Sequence, residues 1–299
     1  MEEGAMYEEY ELAASDGRRL QVGLVGHRSG TTVVVHHGTP GAASLVRLFE
    51  SATAAGVLLV MVSRPGYGAS TRRLGRSVAA AVDDVDAVLD ALGRERYVAV
   101  GWSGGGPHAL ACAALDAPRC AAAWSLAGPA PADADIDWLA GMGADNVEEF
   151  TLARAGGAAF EEALDAAATT MRAASGAELA AQLGAMVSEV DQVALAAPRV
   201  AEILASSTGQ GLGADAAGWI DDDRALLAPW DCDVTRIGVP VEVWYGGQDV
   251  LVPPAHGAWL AAHIPGAREV HQPAAGHISL VVDNLASLAA AWAAVDTEH

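Results

Sequence analysis

The sequence predicts an α/β fold in which a mostly parallel sheet is flanked by helices and carries a large helical insertion. Short, apolar, β-branched runs alternate with helical patterns over residues 1–130, which is typical of a parallel sheet with crossover helices. Residues 131–235 break this alternation, because they contain no convincing buried strand. The alternation then resumes and continues to the end of the chain.

The individual elements follow from these runs in order. YEEYELAA and RLQVGLVG predict a leading antiparallel hairpin, turned at Ser15-Asp16-Gly17. Buried strands are predicted at TTVVVHHG, VLLVMVS, RYVAVGW and CAAAWSLAG, and the helical segments between them are SLVRLFESATAAG, Ser77 to Leu92, and GGPHALACAALDAP. The last part predicts the strand PVEVWYGGQD, the helix PPAHGAWLAAHIPG, the strand AREVHQP and a closing helix from Ser279 to Val295.

These patterns divide the chain into a core domain, residues 1–130 and 236–299, and a helical insertion, residues 131–235. Since loops at the carboxyl ends of parallel strands overlie the ligand site, we expect the insertion to form a cap over that site. The insertion holds 19 of the 38 acidic residues of the chain but only four of its 17 basic ones. Acids spread in this way are more typical of a solvated surface, although an acidic cap would also attract amine-bearing substrates.

Composition excludes several classes of function. The chain of 299 residues has a formal net charge of -21 and contains no Lys, so it would repel phosphate backbones and anionic lipid, and Schiff-base and P-loop mechanisms are excluded. We therefore expect neither nucleic-acid nor membrane partners. No apolar run has the length of a membrane span, the amino terminus lacks signal-peptide features, and the three cysteines lack metal-ligand spacing. We expect a cytoplasmic monomer or homodimer without metal or cofactor.

The stretch GWSGGGPH, residues 101–108, carries the chemistry. Its Gly-x-Ser-x-Gly pattern puts Ser103 between a predicted strand and a predicted helix, as in the strained turn that exposes a nucleophilic serine. We expect glycine at Gly101 and Gly105 because the strand and the helix approach too closely there for side chains. The pattern is short and the chain has 33 glycines, so the other segments decide its significance.

A nucleophilic serine needs a base and a third group that orients the base. His277 is the candidate base, because it follows Gly276 in a loop between the last strand and the last helix. Asp249 is the candidate acid, since it ends a strand at the sheet edge where Ser103 also emerges and completes the chain order Ser, Asp, His. Asp133, shortly after the preceding strand, stays open as the alternative acid.

Acyl transfer also needs hydrogen-bond donors for the oxyanion. The segment HHGTPGA, at the end of the first parallel strand, offers the backbone N–H of Thr39, which we expect to point at the same spot as the N–H of Gly104. Gly38 and Gly41 let this loop turn inward. His37 is expected to support the loop and not to act as a base.

Three tryptophans are candidates for lining a substrate pocket: Trp102 beside the serine, and Trp219 and Trp230 in the cap segment GWIDDDRALLAPW. For the last two, a structural role in the protein interior is an equally good interpretation. The acidic run at residues 221–223 of the same segment is expected at a helix end or in solvent.

Four separated segments resemble the α/β-hydrolase fold superfamily in order and spacing: HHGTPGA, SRPGYGAST, GWSGGGPH, and GGQDVLVPP with AAGHISL. The resemblance covers nearly the whole chain outside the cap. It implies a mostly parallel eight-stranded sheet, a triad of Ser103, Asp249 and His277, and an oxyanion hole formed by the N–H groups of Thr39 and Gly104. The SRPGYGAST loop and the helical insertion resemble the proline iminopeptidase, epoxide hydrolase and haloperoxidase branches.

Departures from these branches narrow the prediction. Epoxide hydrolases and haloalkane dehalogenases have Asp where this chain has Ser103, and proline iminopeptidases have Trp where it has Gly104. The sequence therefore predicts a carboxylesterase-like serine hydrolase of small-molecule acyl substrates, with cofactor-free perhydrolysis as a side activity. A proline iminopeptidase-like aminopeptidase is the alternative, and a non-hydrolytic ligand-binding protein on the same fold is the third hypothesis.

Overall fold

The computed structural model describes residues 7–297 and confirms the predicted fold class. This part of the chain contains an eight-stranded, mostly parallel sheet flanked by helices. The strands are β1 (Glu8–Ala13), β2 (Arg19–Gly26), β3 (Thr31–His36), β4 (Val57–Val62), β5 (Tyr97–Trp102), β6 (Cys120–Leu126), β7 (Val241–Gly246) and β8 (Arg268–Gln272).

The strands lie in the order β1-β2-β4-β3-β5-β6-β7-β8 across the sheet. The hairpin strands β1 and β2 are antiparallel, and β2 also pairs antiparallel with β4, whereas every other pair is parallel. The carboxyl ends of β3, β5 and β7 therefore lie at one edge of the sheet. Thr39, Ser103 and Asp249 follow these three ends in the sequence.

Successive side chains of the central strands pack into two apolar clusters on opposite faces of the sheet. On β3, Val34 belongs to one cluster, and Val33 and Val35 belong to the other. On β4, Val60 and Leu59 divide in the same way. Because both faces are covered, the strands read as continuous apolar runs and not as polar-apolar alternations.

The α-helices of the described residues are α1 (Ala81–Leu92), α2 (Gly106–Leu115), α3 (Ala144–Ala155), α4 (Ala158–Met171), α5 (Gly176–Gly184), α6 (Glu189–Leu195), α7 (Pro198–Gly211), α8 (Ala217–Leu227), α9 (Pro254–His263), α10 (Ser279–Val282) and α11 (Leu285–Ala293). Short 3-10 helical segments lie at Val78–Ala80, Ser103–Gly105 and Val234–Arg236. The predicted helix after β3 is also a 3-10 helix, Ala43–Ala55.

The predicted closing helix is not continuous. It consists of α10 and α11, which Asp283 and Asn284 separate. The side-chain amide of Asn284 donates to the carbonyl of Leu280 at 2.9 Å and to the side chain of Gln272. Such local side-chain bonds to the backbone compete with helix continuation, which explains the break.

Residues 127–240, all of which the structure describes, form the six helices α3 to α8 and no strand. We refer to residues 131–235 as the cap. Phe160, Leu164 and Trp219 of the cap share an apolar cluster with Tyr67, which belongs to the loop after β4. Apolar packing therefore fixes this part of the cap to the rest of the molecule.

Residues 1–6 and 298–299 of the predicted core domain lie outside the described residues, so the amino-terminal residues for which we predict no signal peptide are described only from residue 7 onward. None of the helices in the described part combines the length and apolar character that a membrane span requires. The same part of the chain holds no group of three or more His, Cys, Asp or Glu side chains arranged for a metal ion.

Candidate active site

Ser103 lies in the turn that joins β5 to α2. Its φ of +56° is in the left-handed region, which a residue with a side chain occupies only when its surroundings hold it there. The turn leaves Ser103 partly accessible at the edge of the sheet, although its neighbours on both sides are buried. This is the geometry of a serine presented to a ligand.

Close backbone contacts explain the glycines around this serine. A Cβ on Gly101 would lie 2.1 Å from the carbonyl oxygen of Gly105, so strand and turn leave no room for a side chain. A Cβ on Gly105 would meet the carbonyl oxygen of His36, at the end of β3, at the same distance. Gly105 is therefore required by the neighbouring strand as well as by the turn.

His277 and Asp249 are joined by a buried hydrogen bond, with 2.7 Å between Nδ1 of the imidazole and Oδ2 of the carboxylate. The other carboxylate oxygen of Asp249 accepts the N–H groups of Leu251 and Val252 at 2.8 and 2.9 Å. These bonds fix the carboxylate, which in turn fixes the imidazole. The alternative acid, Asp133, is exposed, and the carboxylate bonded to Nδ1 of His277 is that of Asp249.

The environment of His277 favours its protonated form. Burial disfavours the imidazolium, but the charge of Asp249, the hydrogen bond to it and the charge of Asp191 outweigh burial, so that the pKa of His277 lies above its ordinary value. His37, in contrast, is buried without a comparable partner, and burial together with the charge of Arg64 holds its pKa well below the ordinary value. His37 is therefore neutral at pH 7.

The loop after β3 approaches Ser103 from the other side. A Cβ on Gly38 would lie 3.3 Å from Cβ of Ser103, and one on Gly104 would lie 2.4 Å from Oγ1 of Thr39 and 3.6 Å from its backbone nitrogen. The backbones of Thr39 and Gly104 are thus neighbours beside the serine. His37 supports the loop as expected, since its Nδ1 bonds the carbonyl of Gly38 at 2.7 Å.

Sequence reasoning missed the residues that hold this loop. The Arg64 guanidinium donates to the carbonyls of His37 and Gly38 at 2.5 and 3.0 Å. It also forms a buried ion pair with Asp222 of α8 at 2.5 Å. Arg64 belongs to the quoted SRPGYGAST segment, but nothing in the local pattern indicated a buried guanidinium or its partner.

The expected position of the acidic run at residues 221–223 is wrong. All three carboxylates lie inside α8, away from its ends, and all three residues are buried. Asp221 pairs with Arg72 at 2.7 Å, and Asp222 pairs with Arg76 as well as Arg64. Three consecutive helical residues span about 200°, which the solvent face of a surface helix can accommodate, so the sequence run alone does not reveal that these carboxylates are buried.

The three candidate pocket tryptophans lie in three different environments. Trp102 lies beside His277, with its indole N–H donating to the His277 carbonyl at 3.2 Å. Trp219 lies on a large cavity next to Ser103. Trp230 does not contact that cavity and packs in the apolar cluster under the sheet, so its expected place in the pocket is wrong, and the buried structural role applies.

Two cavities meet at Ser103 and Thr39. The larger has a volume of about 430 Å³, is mainly apolar, and extends beneath cap helices α3 and α4. The smaller has a volume of about 120 Å³ and is lined by Trp102 and His277. Ser103 therefore lies between a larger apolar cavity and a small cavity that His277 lines.

The comparison with protein families identifies the fold. A family model described as alpha/beta hydrolase fold matches residues 31–283. The chain belongs to this family. No curated protein sequence matches it.

Solved structures of other α/β-hydrolases have the same fold. An alpha/beta hydrolase fold protein from Nakamurella multipartita is 25% identical, with a TM-score of 0.67 over 96% of this chain and 98% of the other. The enol-lactonase from Burkholderia xenovorans LB400 is 20% identical, with a TM-score of 0.66 over 94% and 96%. A bromoperoxidase from Bacillus anthracis is 18% identical, with a TM-score of 0.67 over 92% and 95%.

Proposed function

We propose that this α/β-hydrolase is a serine hydrolase that cleaves carboxylic esters or similar small-molecule acyl substrates through an acyl-enzyme. One observation carries the proposal: Ser103 is held in a left-handed turn where two cavities meet, and one of these cavities is lined by the imidazole that Asp249 orients. A nucleophile, a base and an orienting acid at one cavity are the parts that acyl transfer requires. The enol-lactonase among the structural neighbours is consistent with it.

The mechanism follows from these positions. His277 accepts the Ser103 proton on Nε2 as the hydroxyl attacks the acyl carbonyl, and Asp249 stabilises the imidazolium through Nδ1. The N–H groups of Thr39 and Gly104 donate to the oxyanion. The imidazolium then protonates the leaving group, and the same imidazole activates the water that releases the acid. The chain's own residues supply every step, so no cofactor is needed.

The two cavities suggest which part of the substrate lies where. The leaving group must reach the imidazolium, and His277 lines the smaller cavity of about 120 Å³. The acyl chain would then occupy the larger, mainly apolar cavity of about 430 Å³. We infer a preference for esters with a sizeable apolar acyl part and a small leaving alcohol.

The test is hydrolysis of a panel of p-nitrophenyl and alkyl esters and lactones by the wild-type protein and Ser103→Ala. We expect turnover in the wild type and a fall of at least about 10³-fold in kcat for Ser103→Ala with an unchanged fold. Ester hydrolysis that is unchanged in Ser103→Ala would contradict the proposal. The non-hydrolytic alternative would be favoured if the protein binds such ligands but neither hydrolyses them nor is labelled at Ser103 by a fluorophosphonate.

A second candidate, aminopeptidase-type hydrolysis, is favoured by a carboxyl pair on the larger cavity. Asp223 and Glu149 both line it and are hydrogen-bonding partners of each other, and no amide, hydroxyl or cationic donor among the described residues reaches either oxygen of the fully buried Asp223. Burial and the charge of Glu149 hold the pKa of Asp223 well above its ordinary value. A substrate ammonium group would compensate the charge of this pair, as a proton does in its absence.

Aminoacyl arylamides and their N-acetyl counterparts separate the two candidates. Preference for the free amine, lost in Asp223→Asn and Glu149→Gln but kept in Glu148→Gln, would support the aminopeptidase. Glu148 is a suitable control because it lines the same cavity and is exposed. Equal hydrolysis rates for the free-amine and N-acetyl substrates would exclude the aminopeptidase candidate and leave the esterase as the proposed function.

The state of the cysteines bears on the cellular location. The three cysteines, Cys112, Cys120 and Cys232, are free thiols. Unpaired thiols are typical of proteins in reducing compartments, and we propose a cytoplasmic location on that basis.

A further inference from the structure

A carboxylate of the cap is bonded to the loop that carries His277. Asp191, on α6, is fully buried, and its Oδ2 accepts the backbone N–H of His277 at 2.7 Å. Its Oδ1 accepts the N–H groups of Ile278 and Ser279, both at 2.8 Å, and the Ser279 hydroxyl at 2.9 Å. The two oxygens of one side chain thus bind three consecutive residues, beginning at the proposed base.

These contacts are not those of a buried ion pair. Within the described residues Asp191 has no salt bridge, and its remaining partner is the hydroxyl of Ser188 at 3.2 Å. The buried carboxylate of Asp191 is therefore stabilised mainly by hydrogen bonds from backbone N–H groups. Hydrogen bonds to an ionised acceptor are short and about twice as strong as neutral ones, so the loop is held in one position.

The fit between the carboxylate and the loop is tight. A Cβ on Gly276 would lie 2.3 Å from Oδ2 of Asp191, so the backbone approaches the carboxylate directly and only glycine leaves room for it. The N–H of Gly276 donates to the Ser279 hydroxyl at 2.8 Å, which closes the loop on itself. The position of the imidazole is thus set by Asp249 at Nδ1 and by Asp191 at the backbone.

We propose that Asp191 is a positioning residue, which ties the cap to the His277 loop and holds the imidazole in line with Ser103. This inference rests on the proposed function, because it assigns the loop to the catalytic base. The same bonds link the cap end at α6 to the base, so that a displacement of α6 would displace the imidazole.

Asp191 also acts on His277 through its charge. The groups around His277 are Asp249, bonded to Nδ1 of the ring, Asp191 of α6, bonded to the backbone N–H, and the neutral indole of Trp102, which packs against the ring; Ser103 lines the same cavity. The two carboxylates both favour the imidazolium, and the charge of Asp191 contributes to the raised pKa of His277. Removal of one charge should therefore lower that pKa.

Asp191→Asn tests the proposal, with Glu189→Gln as the matched control. An Asn side chain keeps one acceptor oxygen but must turn its amide NH₂ toward either the His277 N–H or the next two N–H groups, where donor meets donor. Glu189 is an exposed acid on the same helix, and its substitution removes the same charge without touching the loop. Both variants are compared with the wild type by ester hydrolysis from pH 5 to 9 and by NMR titration of the His277 imidazole.

We expect Asp191→Asn to lower kcat about 10- to 100-fold with KM changed less than about twofold, since a small displacement of the base affects the chemical step and not binding. The acid limb of its kcat/KM profile and the NMR pKa of His277 should both move to lower pH. Glu189→Gln should match the wild type in all three readouts. An Asp191→Asn protein with wild-type kcat and an unmoved His277 titration would overturn the proposal.

Gly276→Ala is a second variant in case Asp191→Asn folds poorly. It keeps the charge of Asp191 but forces the loop away from it, so kcat should fall while the NMR pKa of His277 falls less than in Asp191→Asn. Wild-type kcat in Gly276→Ala would contradict the positioning role. Turnover that survives in Ser103→Ala would contradict the proposed function instead, and the His277 titration then still tests Asp191 on its own.

Discussion

The Thr39 hydroxyl donates to Oδ2 of Asp222 at 2.8 Å, so a buried carboxylate of the cap holds a residue of the proposed oxyanion hole. Asp222 also binds Arg64, whose guanidinium holds the carbonyls on the amino-terminal side of Thr39. With Asp191 bonded to the His277 loop, two cap carboxylates contact the two loops on either side of Ser103. The cap is therefore part of the framework that positions the site.

Asp222→Asn should lower the free energy of unfolding by about 3–5 kcal/mol at pH 7, because it leaves Arg64 and Arg76 buried without their counter-charge. Urea unfolding measures the change. Ser188→Ala is a milder cap variant for comparison, since it removes one long hydrogen bond at 3.2 Å and no charge.

The same destabilisation should depend on pH. Burial alone would raise the pKa of the Asp222 carboxyl, but the charges of Arg64 and Arg76 hold it well below its usual range in the folded protein. A depressed folded-state pKa gives stability that is fully present above the unfolded value of about 3.9 and is lost as the pH falls through the folded value. The difference between wild type and Asp222→Asn should therefore narrow below about pH 4. If the two unfolding free energies differ by the same amount from pH 7 to pH 3, the destabilisation does not come from loss of the Asp222 charge.

The pH dependence of kcat/KM should report the protonation of His277. The imidazole accepts a proton only when neutral, and its pKa is raised, so activity should rise with pH through a midpoint above about 6.5. Asp249→Asn should move this midpoint to lower pH and reduce kcat by about 10⁴-fold, the cost found for the acid in Ser-His-Asp sites. A midpoint near 5 in the wild type would indicate a different base.

Gly104→Ala should impair the oxyanion hole without disturbing binding. Its Cβ would lie 2.4 Å from Oγ1 of Thr39 and would force the two proposed N–H donors apart. We expect kcat to fall about 10²- to 10³-fold with little change in KM, measured with a p-nitrophenyl ester. Gly238→Ala is the matched control, because a Cβ there meets nothing within 4 Å. Equal kcat values in Gly104→Ala and Gly238→Ala would contradict the assignment of the Gly104 N–H as an oxyanion donor.

The assignment of the acyl chain to the larger cavity is tested by filling that cavity. Ala167 of α4 lines it, whereas Ala166, its neighbour on the same helix, is exposed. Ala167→Phe should lower kcat/KM for long-chain acyl esters at least about 10-fold, spare acetyl esters, and leave the preference among alcohols unchanged. Ala166→Phe should behave as the wild type. An altered alcohol preference in Ala167→Phe would reverse the assignment of the cavities.

Local patterns predict the sheet, which the structure confirms, and they place Ser103, Asp249 and His277 near one edge of it. Apolar runs predict the strands, and parallel strands bring their carboxyl ends to one edge, so residues just after those ends come together without any further information. The same logic explains why His277 and Asp249, which are 28 residues apart, were predicted as partners.

Asp191 and Asp222 could not be found in this way. They lie on cap helices, and their partners are 86 and 158 residues away in the sequence, where no spacing rule relates a helix to a loop. Trp230 was misplaced for a related reason, since an aromatic residue suits a pocket and an interior equally well. What decides these positions is the docking of the cap, which is a property of the folded chain.

The most direct measurement of the central claim is mass spectrometry of the protein quenched in acid during turnover of a p-nitrophenyl ester. The account predicts a mass increase equal to one acyl group, located by peptide mapping on Ser103, and absent in Ser103→Ala. His277→Ala exposed to the same ester should hold the adduct longer where it forms, since water activation is lost. Turnover with no acyl adduct on Ser103, or an adduct on another residue, would contradict the account.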